Sequence, residues 1–411
     1  MEKRNVPKLR FKGFEDEWKK ECFKEVFNKF EYGMNSAAID FDGENKYIRI
    51  TDIDDESNKY KSDSLVSPEG NLDEKYLVKC NDILFARTGA SVGKSYLYNE
   101  EDGKLYFAGF LIRGNVKERY NSKFIFLQTK TSNYEKWVKI MSMRSGQPGI
   151  NSQEYASYKI NNPSLEEQNK IANFLSNVDN IIEEQEGKVK DLEQYKKGMM
   201  QKIFKQEVRF RDDNGGEYPE WEEKKLSQIT DVLSGKRLPK GETLTTIDTG
   251  IKYITVSDMG SKYVSKENIR YITKEIEEQI KKYKVNFGDI IISVAGTLGK
   301  INIIDKKISG SNLTENCDKI TSFKDCINIY IYYYLNTSLI QNQISSVNTI
   351  SSQPKLALDR IRKFNVLLPC IEEQTKIANF LSNIDNIIEE ENKKLEDLKL
   401  WKKGLLQQMF V

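Results

Sequence analysis

The stretch Gly89-Ala90-Ser91-Val92-Gly93-Lys94-Ser95 has the residue types of a phosphate-binding loop, in which backbone N–H groups cradle phosphates and a lysine reaches the terminal ones. It is one residue short of the G-x-x-x-x-G-K-[ST] spacing. A related stretch, Gly296-Thr297-Leu298-Gly299-Lys300-Ile301, is shorter still and lacks the hydroxyl that would hold magnesium. A nucleotide site is therefore disfavoured. Two readings stay open. One is a plain structural turn; the other is a glycine loop after a strand that brings Arg87, Thr88, Ser91 and Lys94, or Ser293, Thr297 and Lys300, close to another backbone. A second shared loop is flanked by Arg144, Gln147 and Gln153 in one place and by Gln353, Lys355 and Arg360 in the other. Arginine and glutamine there suit bidentate contact with guanine and adenine edges, and lysine, serine and threonine suit phosphates. These thirteen residues are the candidate DNA contacts.

Other chemistry is missing. The chain has no histidine, which removes Ser-His-Asp triads, histidine metal sites and the commonest general base. Its five cysteines are scattered without a C-x-x-C pair, and neither G-x-G-x-x-G nor an Asn-Pro-Pro-aromatic motif occurs. Catalysis by this chain, a bound metal and a disulfide framework are not expected. No apolar run approaches the roughly 18 residues of a membrane span, so a cytoplasmic protein is expected.

The loops must be positioned by a repeat. Pro163–Phe204 and Pro369–Phe410 align at a constant offset of 206 with 26 of 42 positions identical. Both carry a ladder of apolar residues in alternating steps of four and three. Ile171, Leu175, Val178, Ile182 and Leu192 mark it in the first copy, and Ile377, Leu381, Ile384, Ile388 and Leu398 in the second. Such a narrow seam on a long helix is buried against another helix, and its natural partner is the other copy. The intervening segment can return the chain in either direction; antiparallel pairing, which would relate the halves by a pseudo-twofold axis, is favoured.

The fold class read from this is α+β: two mixed α/β modules separated by two long helices that pair as an antiparallel intramolecular coiled coil. The boundaries are 1–162 and 207–368 for the modules, and 163–206 and 369–411 for the helices. Leader segments match (Arg10-Phe11 with Arg209-Phe210, Trp18 with Trp221), and strands are expected at 47–52 and 253–258 and near 78–85 and 285–292. Helical stretches are expected at 122–141 and 327–344. The helical segments sum to a charge of −4 and the rest to +6, so the modules are the basic parts.

Between the helices identity is high; between the modules it is low. The seam explains the matched apolar residues but not Glu167, Gln168, Asn173, Asn177 and Asn180, which recur as Glu373, Gln374, Asn379, Asn383 and Asn386. Either these cap and solvate the helices, or one kind of partner docks on each copy.

Two variable modules alternating with two near-identical helices, each opened by P-x-[LI]-E-E-Q-x-K-I-A-x-F-L, resemble the specificity subunit of Type I restriction–modification systems, usually called HsdS. The resemblance spans the whole chain. It implies a non-catalytic reader of double-stranded DNA, each module binding half of a split target, with the helices setting the spacer. It also implies two methyltransferase subunits, which use S-adenosylmethionine, and restriction/translocase subunits, which use ATP and magnesium. No cofactor would bind this chain itself. The rival reading is an interaction scaffold built on the coiled coil, which leaves two basic modules without a purpose.

Overall fold

The computed structural model describes residues 5–143, 148–346 and 355–411. The chain forms two compact units, Met1–Glu186 with Lys393–Val411, and Gly187–Asn392. The long helices, Leu165–Phe204 and Ile371–Met409, are 40 and 39 residues long. Each belongs by one half to one unit and by the other half to the other.

Within each unit the two helix halves run in opposite directions. In the first, Lys402 pairs with Asp179 and Lys399 with Glu186, so the residue numbers rise on one helix as they fall on the other. In the second, Lys196 pairs with Asp385 and Lys188 with the buried Glu391. The expected antiparallel coil is thus present, but the seam does more than join the helices. Ile171, Leu175, Val178 and Ile182 lie in one apolar cluster with Leu405, Leu406, Met409 and Phe410 and with the core of the first module, including Trp18, Phe23 and Phe124. Ile377, Leu381 and Ile384 share the second cluster with Ile203, Phe204 and the module residues Trp221, Tyr330 and Ile331. Ile388 and Leu398 pack at the edges of these clusters, half-buried, and Leu192 is half-buried. The helices are therefore part of both module cores, because a heptad stripe is wide enough at its ends to be shared between a partner helix and a sheet-backed core.

The modules share a plan. In the first unit an antiparallel sheet has the strand order Phe27–Tyr32, Leu111–Val116, Asp82–Ala86, Ser95–Leu97. In the second the order is Asp231–Ser234, Cys317–Thr321, Ile290–Ser293, Ile301–Ile303. A short parallel pair lies beside each, Lys46–Ile48 with Leu105–Phe107 and Lys252–Ile254 with Asn312–Leu313. The leaders pair antiparallel with the strand that precedes each long helix, Lys19–Cys22 with Lys159–Asn162 and Glu222–Lys225 with Asn365–Leu368.

Two expected elements are shorter than read. The strands at 47–52 and 253–258 stop at Ile48 and Ile254, because the buried carboxylates of Asp52 and Asp258 accept the N–H groups of Arg49 and Thr255 at 2.8 Å and turn the chain into a 3-10 turn. Residues 122–141 form two helices, Ser122–Gln128 and Ser132–Ser142. They break where the Thr131 hydroxyl caps the second by accepting from Tyr134 N–H. The matching stretch breaks likewise into Asn328–Leu335 and Ser338–Ser345. Among the described residues no helix is long and apolar enough to cross a membrane.

Leu175 and Leu381 are fully buried where helix, partner helix and module core meet. Aspartate at either buries an unpaired charge and should cost about 4 kcal/mol or more. Thermal denaturation of each single variant checks this; unchanged melting would place these side chains outside the core.

Candidate nucleic-acid interface

In both modules the glycine loop follows the central strand and its backbone needs glycine. Gly93 and Gly299 have φ of +87° and +77°, and a Cβ on either would press on the helix behind, on Val138 at 2.5 Å or Ile344 at 3.0 Å. The second shared loop lies alongside. Ile150 N–H donates to the Arg87 carbonyl at 2.9 Å and Gly89 N–H to the Pro148 carbonyl at 3.2 Å; in the second module Leu356 N–H donates to the Val294 carbonyl at 2.9 Å. The fold therefore sets the loop of Arg87, Thr88 and Ser91 against the segment that leads to Gln153 in one unit, and the loop of Thr297 against the segment of Lys355 in the other. Thr88 bridges Gly149, and Ala295 bridges Lys355. Gln153, Thr297 and Lys355 are exposed; Arg87, Thr88 and Ser91 are half-buried. The Arg87 guanidinium lies 4.8 Å above the Tyr32 ring and donates to the Gly109 carbonyl at 3.4 Å. Arg144, Gln147 and Gln353 lie outside the described residues.

Four of the candidate contacts are also engaged within the chain. Lys94 has a side chain only 11% exposed; its ammonium donates to the Ile53 carbonyl at 3.0 Å and pairs with Asp55. Lys300 reaches the matching carbonyl, that of Met259, at 3.3 Å. This lysine, shared by both loops, ties the loop to the chain after the 3-10 turn; Lys94 is nearly covered there, whereas Lys300 stays exposed. Ser293 is buried: its hydroxyl donates to the Thr297 carbonyl at 2.5 Å and accepts Lys300 N–H at 2.9 Å, closing the loop on itself. Arg360 donates to the Gln343 carbonyl at 3.1 Å and to the Ser346 hydroxyl at 2.8 Å.

The helix starts also depart from expectation. Glu167, Gln168, Glu373 and Gln374 were candidates for docking a partner, yet all four are buried. Glu167 takes a two-pronged contact from Arg10 at 2.8 Å. Glu373 takes Arg209 at 3.3 and 2.9 Å and Trp221 Nε1 at 3.0 Å. Gln168 donates to the Pro163 carbonyl at 3.0 Å and accepts Asn121 N–H at 3.0 Å; Gln374 does the same with Pro369 and Ile327, each at 2.9 Å. The Glu-Gln pair thus clamps each helix to its own leader and to a module helix. Arg10 and Arg209 were the missed partners, and the aligned leaders contained the signal. Asn173, Asn177 and Asn180, and Asn379, Asn383 and Asn386, are exposed along one face of each helix, beside the matched exposed Ile181 and Ile387.

The electrostatics differ between modules. In the second unit Asp385 accepts from Lys262 at 2.9 Å and from Lys196 and the Tyr333 hydroxyl, and burial outweighed by these donors leaves its carboxyl below the usual range. Asp385, Lys196 and Lys262 line a cavity of about 940 Å³. Asp318 stands where the first module has the core residue Ile112; burial pushes its carboxyl up to about 6, against the pull of Ser234, Lys355 and Arg362.

Two predictions follow from these placements. Alanine at Lys94 should leave the slope of DNA affinity against salt unchanged in the assembled complex, whereas loss of a phosphate contact would lower it by about one ion. Asp318 holds its proton more tightly folded than unfolded, so its contribution to stability is present below about pH 4 and lost as pH rises through about 6. Asp318→Asn should remove that slope, and chemical denaturation from pH 4 to 7 reads it.

Comparison with known proteins agrees with this architecture. The profile of the Type I restriction modification DNA specificity domain matches residues 15–194 and 218–400. The Type I restriction enzyme MjaVIII specificity subunit of Methanocaldococcus jannaschii is 26% identical over 366 residues, 85% of this chain and 83% of that protein. The S subunit of a Type I restriction-modification system from M. genitalium shares the fold with a TM-score of 0.58 at 17% identity, covering 99% of both chains. A chain from a structural study of assembly and conformational transition in a type I R-M system superposes with a TM-score of 0.60 at 15% identity, covering 96% of this chain and 98% of that one. The doubled module, the doubled helix and the match to both copies of the domain place this chain in the family of Type I restriction–modification specificity subunits, the non-catalytic, sequence-recognising members of those systems.

Proposed function

We propose that each module reads one half of a split double-stranded DNA target and that the paired helices set the spacer between the halves. The observation that carries this is a contrast within one chain. The two modules repeat the same backbone frame with different exposed loop residues, whereas the two helices repeat the same exposed asparagines. A ligand that differs between halves fits the first pattern; a partner that comes in two copies fits the second.

The exposed stripe of Asn173, Asn177 and Asn180, with its copy Asn379, Asn383 and Asn386, is then the dock for two methyltransferase subunits, each meeting the same surface. Restriction/translocase subunits complete the complex. S-adenosylmethionine, ATP and magnesium belong to those partners, in the cytoplasm, and the specificity subunit contributes adenine methylation and cleavage only by choosing where they occur. Arg87, Thr88, Ser91, Gln153, Thr297 and Lys355 remain the DNA-facing candidates of the two loop pairs.

Module exchange tests the reading. Replacing residues 1–160 by the matching module of a relative should change one half of the methylated motif in the genome of cells carrying the complex and leave the other half as it was. A change in both halves would exclude independent readout.

A further inference from the structure

The short turn before Leu111–Val116 in the first module and before Cys317–Thr321 in the second has the same backbone and different chemistry. In the first module it is Ala108-Gly109-Phe110-Leu111, closed by Leu111 N–H on the Ala108 carbonyl at 2.8 Å; in the second it is Thr314-Glu315-Asn316-Cys317, closed at 3.1 Å. The surrounding frame repeats two further bonds. Arg87 N–H donates to the Phe110 carbonyl at 3.1 Å and Val294 N–H to the Asn316 carbonyl at 2.8 Å. Gly33 N–H reaches the Leu111 carbonyl at 3.2 Å, and Gly235 N–H the Cys317 carbonyl at 3.0 Å. Both glycines are required by closeness: a Cβ would sit 2.2 Å from the Ala108 carbonyl oxygen or 2.0 Å from that of Thr314.

On this fixed frame the side chains at the turn are unrelated. Phe110 is 65% exposed on a turn whose Gly109 carbonyl accepts from Arg87, the arginine stacked on the 43% exposed Tyr32. Asn316, half-buried, occupies the same position in the second module, next to a Glu315 carboxylate held by Arg237 at 2.6 Å. An uncovered aromatic ring with a cation at hand can give a flat partner apolar and stacking contact. A protein partner docking once on each module would meet similar chemistry at both turns, as it would on the asparagine stripes. Here the chemistry diverges while the frame stays, which fits a ligand whose two halves differ.

Resting on the DNA-reading function, we propose that the residue at this turn is a base-reading position in both modules. Phe110 packs on the 5-methyl group of a thymine in the first half-site, and Asn316 pairs with the major-groove edge of an adenine in the second. Phenylalanine gives apolar contact to the thymine methyl, and asparagine matches the N6 donor and N7 acceptor of adenine. Arg87 places positive charge next to the first contact.

Base analogues test this in the complex assembled with its methyltransferase subunits, on duplexes carrying the motif read from genomic methylation. Replacing thymines of the first half-site one at a time by deoxyuridine removes only a methyl group. One such replacement should weaken binding of the unaltered complex about fourfold, the effect of one buried methyl, and should not weaken the Phe110→Ala complex further. In the second half-site, 7-deazaadenine at one position should cost the unaltered complex about tenfold and the Asn316→Ala complex nothing more. Phe110→Leu, which keeps an apolar tip, should retain part of the thymine preference. The proposal is overturned if no analogue separates variant from unaltered complex, if the first half-site has no A·T pair, or if the variants fail to assemble with the methyltransferase, which would make the turn a protein dock. A complex that methylates without any sequence preference would overturn the DNA-reading function itself, a separate result.

Discussion

Each module core is completed by the end of a helix that began in the other unit, and the rest of the structure depends on this packing. Phe410 stacks on Phe124 at 5.2 Å and meets Trp18 edge-on at 6.2 Å. Phe204 stands edge-on to Tyr330 at 5.7 Å and to Tyr334 at 5.4 Å. Rings of this size contribute most of the apolar area a small core buries. The interaction also decides helix direction. A module core must receive the start of one helix, held by its Glu-Gln clamp, and the end of the other, and only opposite-running helices deliver a start and an end to the same place. The matched clamps and the matched terminal phenylalanines are two halves of one requirement.

That requirement changes how identity between the copies is understood. Glu167 and Glu373 are identical because each unit has the same internal clamp to build, with Arg10 or Arg209 as donor and an aromatic ring, Phe11 or Phe210, laid edge-on to Phe174 or Phe380 at 5.6 Å. The exposed asparagines have no such duty in the fold. Identity at a buried polar position and identity at an exposed one therefore have different causes, and burial separates them.

Much of the fold was legible because periodicity is local. The four-three ladder gave the helices and the seam, the doubled leader gave the module plan, and the glycine loops were placed after the correct strands. What was illegible depends on contacts distant in sequence. Lys94 looks like a phosphate ligand by spacing, but its partner is the carbonyl of Ile53, 41 residues away. Ser293 looks like a loop hydroxyl, but the strand it ends is fully buried. Gly33 and Gly235 carry no signal of their own, since nothing in their flanking residues announces a carbonyl oxygen about 2 Å from where a Cβ would stand. Phe110 reads as one more core aromatic until the turn that carries it is seen to point outward.

The division of the helices also sets an order of assembly. The second unit is one unbroken stretch, Gly187–Asn392, while the first is Met1–Glu186 together with Lys393–Val411. During synthesis the second unit has all of its parts as soon as Asn392 has left the ribosome. The first, though made earlier, lacks Leu405, Leu406, Met409 and Phe410 until the final turns of the second helix emerge, and its apolar face stays open until then. The part translated first is thus completed only after the part translated second.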